Sequence, residues 1–255
     1  ALEYIAIERG DEALRRHWLE ARMTVNPDSP ELLRAHAHLL AKMGDIEAER
    51  DVLRLEALGL DTPADRSLLS GLRARAGSRS EALEAIEQAL SEDPTQSSDW
   101  LSYANLLYQE EEMSKALDAA NKCLELDRQS GGAWALTAKI LAPKQNRLKE
   151  ALKAAIHAVA LDSGGVDLVL LKADLLVADG QATAAEESLT KALEKDMMNG
   201  ELRARIATRY LLDGRPDAAQ SLLDSTPVGI DHALLHVVEG RLHLVNADKA
   251  RDCLL

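Results

Sequence analysis

Small residues recur in this chain at a nearly fixed interval, and that interval restricts the fold more than any other feature. Ala82, Ala116, Ala151, Ala185 and Ala219 follow one another at spacings of 34, 35, 34 and 34. A second series, Ala37, Ser70, Ala104, Ala138, Ala173 and Ala207, is spaced 33, 34, 34, 35 and 34. A third, Ala89, Cys123, Ala158, Ala192 and Thr226, takes its one longer step at the same place, beside Pro143-Lys144-Gln145. Three ladders that share one insertion describe a repeated structural unit. Two helices of a hairpin that cross closely need small side chains where their backbones approach. One ladder then lies in the middle of each first helix and another at the start of each second helix. Gly44, Gly77, Gly180 and Gly214 fall between the two, where a left-handed residue ends a helix cheaply. Asp93-Pro94, and Asn26-Pro27 less regularly, close a second helix, because proline cannot continue one.

Composition agrees with close-packed helices. Apolar residues make up 46% of the 255 residues, but aromatics only 3%, and there is no Phe. A core poor in large rings draws its area from Leu and Ala, which are also strong helix formers. Seven prolines and fourteen glycines are few for an all-β chain. The formal net charge of -13 argues against nucleic-acid binding, which needs a concentrated basic surface. Cys123 and Cys253 offer neither a zinc spacing nor a disulfide framework. They fit a reducing cytosol, the compartment favoured here, and also permit a periplasm. No stretch reads as a signal peptide or a membrane span. The chain begins Ala1-Leu2-Glu3-Tyr4 and stops within helical periodicity at Cys253-Leu254-Leu255, so we expect a fragment of a longer polypeptide.

The pattern resembles the tetratricopeptide repeat, whose 34-residue unit pairs an aromatic, Leu-rich first helix with an Ala-marked second helix and a trailing Pro. Residues 97–130 carry it best, with Trp100, Tyr103, Ala104, Tyr108, Ala116, Cys123 and Leu126 in the family's slots. Trp134 repeats Trp100 one unit later. Units are expected at 30–62, 63–96, 97–130, 131–165, 166–199 and 200–229, with partial ones at 1–29 and 231–255. The first of these is weaker, with Glu49 where the second helix should present Ala. The resemblance implies an all-α, right-handed α-solenoid of about six to seven tandem helix-turn-helix repeats, each burying its apolar face on its neighbours.

The same resemblance implies a function. Members bind partner segments along a concave groove formed by the first helices. The slots used there fall on Arg34, His38, Lys42, Arg75, Leu101, Asn105, Tyr108, Gln109, Lys139 and Asp174. These residues are basic and polar early and acidic later, so an acidic or mixed peptide is expected in the first half. The family's clamp for a C-terminal carboxylate is not reproduced, since Leu101 and Leu136 replace the Lys and Asn it needs. The expected function is a non-catalytic interaction scaffold that serves complex assembly, without cofactor, nucleic acid or membrane insertion, and with self-association through its ends as a further expectation. Alternatives are a regulatory or targeting arm of a larger enzyme, such as a glycosyltransferase or phosphatase, and a periplasmic assembly or polysaccharide-export scaffold.

One further cluster bears on chemistry. His232, His236, Glu239 and His243 share one side of a helix, with Leu234, Val238, Leu242 and Val245 on the other. Histidines at i and i+4, with Glu three residues on, can share a metal. His243 lies roughly 10 Å beyond His236 along the axis, too far for one ion to take all four. A polar helix face is the simpler reading, and no metal site is assigned. His36 and His38 point to different sides of their helix. No phosphate loop is present, since Gly131-Gly132 and Gly164-Gly165 lack a following Lys-Ser/Thr. No Ser or His stands in a recognisable nucleophile setting, and Glu110-Glu111-Glu112 reads as solvated charge in a turn. Cys123, in a slot otherwise held by Ala, reads as a small buried hydrophobe.

Overall fold

The structure, a computed structural model, describes residues 10–161, 165–227, 229–230 and 233–252. Its regular elements among those residues are fourteen α-helices and one short 3-10 helix, divided between two compact units, Ala1–Ile140 and Leu141–Leu255. The first unit opens with α1 (Glu12–Met23). Three hairpins come next: α2 (Pro30–Met43) with α3 (Ala48–Ala57), α4 (Pro63–Ala76) with α5 (Arg79–Glu92), and α6 (Ser97–Gln109) with α7 (Met113–Leu126). Helix α8 (Gly131–Leu141) ends the unit. The second unit runs through the 3-10 turn Gln145–Arg147, α9 (Leu148–Ala160), the hairpins α10 (Gly165–Ala178) with α11 (Ala182–Lys195) and α12 (Gly200–Leu212) with α13 (Pro216–Asp224), and α14 (Ala233–Asp252).

The sequence explains where the helices start and stop. Ser29, Thr62 and Asn199 cap first helices by accepting the backbone N–H three residues on, at 3.4, 3.4 and 2.8 Å. Thr62 and Asp65 complete a reciprocal capping box, and Pro30 and Pro63 occupy the first helical position. At the other end one hydrogen bond recurs: Asp45, Ser78, Glu112, Gln181 and Arg215 each donate a backbone N–H to the carbonyl five residues earlier, at 2.8–2.9 Å. The residue before each donor is left-handed, namely Gly44, Gly77, Glu111, Gly180 and Gly214. Glu111 is the non-glycine member, at φ 61°.

The small-residue ladders are buried. Ala82, Ala116, Ala151 and Ala219 are 0% exposed, as are Ala37, Ala104, Ala138 and Ala207, and Ser70 is 1%. The third ladder is buried through Ala158 and half-buried at Ala192 and Thr226. One expected slot is corrected. Ala48, fully buried, fills the position assigned to Glu49, because it follows Gly44 by four residues where Ala82 follows Gly77 by five. Ala48 stands one full repeat before Ala82, so the second-helix ladder extends back unbroken.

Each core cluster joins one hairpin to the next. Ala37 and Val52 of the first hairpin pack with Leu69 and Ala85 of the second. Cys123 and Leu124 of α7 pack with Ala133 of α8 beneath Trp100 and Trp134. The two indoles make the same contact one repeat apart: Trp100 Nε1 donates to Pro94 O at 2.8 Å and Trp134 Nε1 to Arg128 O at 2.9 Å. A ring too polar at one edge to bury outright thereby closes the turn between hairpins. Cys123 is buried, and burial raises its thiol pKa, consistent with a packing role.

Candidate functional site

The first helices of the N-terminal unit present a row of side chains at one repeat slot, immediately after the buried small residue. His38, Asn105 and Lys139 are exposed there, on α2, α6 and α8. Gly71 holds the slot on α4, and a Cβ added to it would meet nothing within 4 Å, so the row is open in its middle. The helices are joined directly. Asp65 of α4 accepts from Arg34 Nε of α2, Ser67 of α4 donates to Asp99 of α6 at 2.6 Å, and Gly132 of α8 packs against Leu101 of α6. Packed helices lie about 8–10 Å apart, so three steps span roughly 25–30 Å, the length of about eight extended residues.

The expected groove residues divide into two groups. Arg34 places Nε 2.9 Å from the almost fully buried Asp65 carboxylate and donates from Nη2 to Leu60 O at 2.5 Å. Arg75 Nη1 donates to Ala41 O at 3.1 Å, and Lys42 Nζ meets Glu12 at 2.7 Å. Asn105 turns its amide nitrogen back to Leu101 O at 2.9 Å, which leaves its carbonyl oxygen outward. These contacts hold neighbouring helices or the helix itself. Among the described residues, the side chains of His38, Tyr108, Gln109 and Lys139 have no hydrogen-bonded or ion-paired partner. Asp174 lies on α10 of the second unit, where it pairs with Arg209.

The histidine helix is described in part. His232 lies outside the described residues, and so does the side chain of Val245. His236 Nδ1 stands 3.4 Å from Glu239 Oε2, both exposed, and His243 is exposed a further turn along. Among the described residues no group of three or more His, Cys, Asp or Glu is placed to hold a metal ion. The apolar side of this helix is corrected by one position. Leu235, Val238 and Leu242 are buried at 2–3% exposure against Ala204, Ala207, Ala219 and Leu223, whereas Leu234 is 41% exposed.

Two polar features escaped the sequence reading, and both occupy the slot just before the small residue of a first helix. That slot is Leu69 in α4 and Ile206 in α12, both buried. In α2 it is His36, also buried, whose Nδ1 lies 2.6 Å from Asp51 Oδ2, while its Nε2 has no hydrogen-bond partner. In α10 it is Lys172. The column reads His36, Leu69, Tyr103, Thr137, Lys172 and Ile206, and the two residues in it able to carry a positive charge were the available signal.

Helical hairpins packed on their sequence neighbours, with buried small residues at each crossing, define an all-α repeat protein. The tetratricopeptide-repeat family model matches residues 176–228. No curated protein matches the sequence. Among solved structures, a tetratricopeptide repeat protein from Parabacteroides merdae superposes with TM-score 0.64 at 18% identity, covering 95% of each chain. The C-terminal part of a repeat-containing protein from Cytophaga hutchinsonii gives 0.67 at 13%, covering 93% of this chain and 99% of that one. YrrB, described as a TPR protein with an unusual peptide-binding site, gives 0.57 at 20%, covering 72% and 94%. The chain therefore has the fold of the tetratricopeptide-repeat proteins it superposes on, and residues 176–228 match that family's model.

Proposed function

We propose that the protein is an interaction scaffold, and that the first-helix face of its N-terminal unit binds an extended peptide segment of a partner protein for complex assembly. The supporting observation is the exposed row His38, Gly71, Asn105 and Lys139, open at the glycine and flanked by Tyr108 and Gln109. An extended peptide has backbone donors and acceptors that the Asn105 and Gln109 amides can satisfy, Tyr108 offers an apolar ring with a polar edge, and Lys139 favours an acidic side chain. Arg34 and Arg75 tie the α2 and α4 hairpins together through Asp65 and the Ala41 carbonyl. The similarity to YrrB, itself described by its peptide-binding site, is in keeping with this reading. Selection from a displayed random-peptide library, followed by fluorescence anisotropy with the selected peptides, tests it. Asn105→Ala with Lys139→Glu should weaken the selected peptides at least about tenfold, the loss of roughly 1.4 kcal/mol. Selected peptides that bind both proteins equally would refute the assignment to this face.

A further inference from the structure

In the second unit a cleft of about 660 Å³ opens on the side of the second helices. Its floor is the first helix α10, through Val166, Val169 and Lys172, and its walls are α9, through Ile156 and Val159, and α11, through Lys191. The floor and the α9 wall are apolar, and Ile156 is left 43% exposed. Apolar side chains of this size are ordinarily covered in a repeat protein by the next hairpin, and a recess that leaves them open is a binding feature.

The charge in the cleft is equally specific. Lys172 is half-buried at the slot that holds Leu69 in α4 and Ile206 in α12. Among the described residues neither it nor Lys191 forms a hydrogen bond or ion pair, although the chain carries 43 acidic residues against 30 basic ones. Burial lowers the Lys172 pKa, and the positive charge of Lys191 lowers it further. Two like charges held near one another over apolar surface, one partly desolvated, are stabilised by an anion. Lys195 and Asp196 stand on the rim, so one carboxylate of the chain is already near, without pairing to Lys172 or Lys191.

We infer that this cleft is a second docking site, which takes an acidic segment of a partner protein carrying apolar side chains between its carboxylates. The carboxylates would meet Lys172 and Lys191, and the apolar side chains would cover Ile156, Val159, Val166 and Val169. The volume accommodates about four residues of chain, since a leucine-sized residue occupies roughly 165 Å³ at interior packing density. The site lies wholly within the C-terminal unit, so it does not depend on the first-helix face of the N-terminal unit proposed above.

Anisotropy of a short fluorescein-labelled probe of alternating Leu and Glu, titrated with the full chain, tests the inference. Binding should exceed that of an all-Glu probe and of a Leu/Lys probe by tenfold or more, and should weaken as salt is raised. Lys172→Leu puts at this slot the aliphatic kind of residue that α4 and α12 carry there as Leu69 and Ile206; combined with Lys191→Gln it should lower affinity at least tenfold while leaving the circular dichroism melt in place. The Asn105→Ala, Lys139→Glu protein should bind the probe as the wild type does. In ¹³C-dimethyl-lysine NMR, the Lys172 titration should move upward in the complex, because a carboxylate favours the charged amine. Equal binding of the three probes, insensitivity to the lysine substitutions, or loss of binding in the Asn105/Lys139 variant would each overturn it. So would a wild-type dimer that the Lys172→Leu, Lys191→Gln protein fails to form, since the cleft would then be covered by a second copy.

Discussion

At positions 36 and 51 a buried imidazole faces a buried carboxylate, where the next hairpin has Leu69 and Ala85 packed together. Breaking such a pair leaves an uncompensated polar group, whereas replacing both members by well-packed apolar residues is often neutral. Asp51→Ala should therefore cost about 3 kcal/mol. The double variant His36→Leu, Asp51→Ala, which imports the neighbouring hairpin's solution, should return to within about 1 kcal/mol of wild type. Urea denaturation checks both, and a double variant as unstable as the single would show that the pair is not interchangeable with its apolar counterpart. Glu111 offers a second residue-scale test. A non-glycine side chain in the left-handed region costs roughly 1–2 kcal/mol, part of which glycine loses again through its greater freedom when unfolded. Glu111→Gly should raise stability by about 0.5–1 kcal/mol, and an unchanged melting temperature would argue against the left-handed turn. The sequence marks Glu110-Glu111-Glu112 as charge in a turn but not which of the three is left-handed, and only the spacing of 34 from Gly77 to Glu111 marks that slot.

Among the elements, helix crossings were legible and helix faces less so. Small residues are demanded where backbones approach, so Ala82, Ala104, Ala116 and Ala138 carry their structural role in their identity. Leu234 and Leu235 are both apolar and adjacent. Only the packing of α14 against Ala204, Ala207 and Ala219 decides that Leu235 turns inward. The long side chains of the first helices posed the same difficulty. Arg34 and Arg75 were expected at groove slots, yet their reach lets them bind Asp65 and the Ala41 carbonyl in the adjacent hairpin. Their surroundings predict a stability phenotype. Arg34→Ala leaves the Asp65 carboxylate with its capping bonds to Thr62 but without its cation, and should destabilise the first unit by about 1–2 kcal/mol, discounted for the partial exposure of the arginine. If melting is unaffected, Arg34 is available to a ligand after all.

For the molecule as a whole, stability is a sum over hairpins and the contacts between neighbours, because the core is divided into clusters that each bridge one joint. Such a chain has no single unfolding step. Probes placed separately at Trp100, in the first unit, and Tyr210, in the second, should give denaturation midpoints that do not coincide, and the fitted urea dependence should fall below the value expected for 255 residues unfolding together. Coincident transitions from both probes would instead mean that the two units unfold as one. The excess of acidic over basic residues was plain from composition, but the cleft that brings Lys172 and Lys191 together was not, since it depends on α9, α10, α11 and the start of α12 converging.

The one-residue insertion beside Pro143 is taken up by the 3-10 turn Gln145–Arg147, and the ladders resume on their usual count afterwards. Length is thus absorbed in a connector without disturbing the register of the later hairpins. A joint of this kind is where such an array can lengthen over evolutionary time, and where a chemist can splice in an affinity tag or a fluorophore-bearing loop and leave both proposed docking faces as they were.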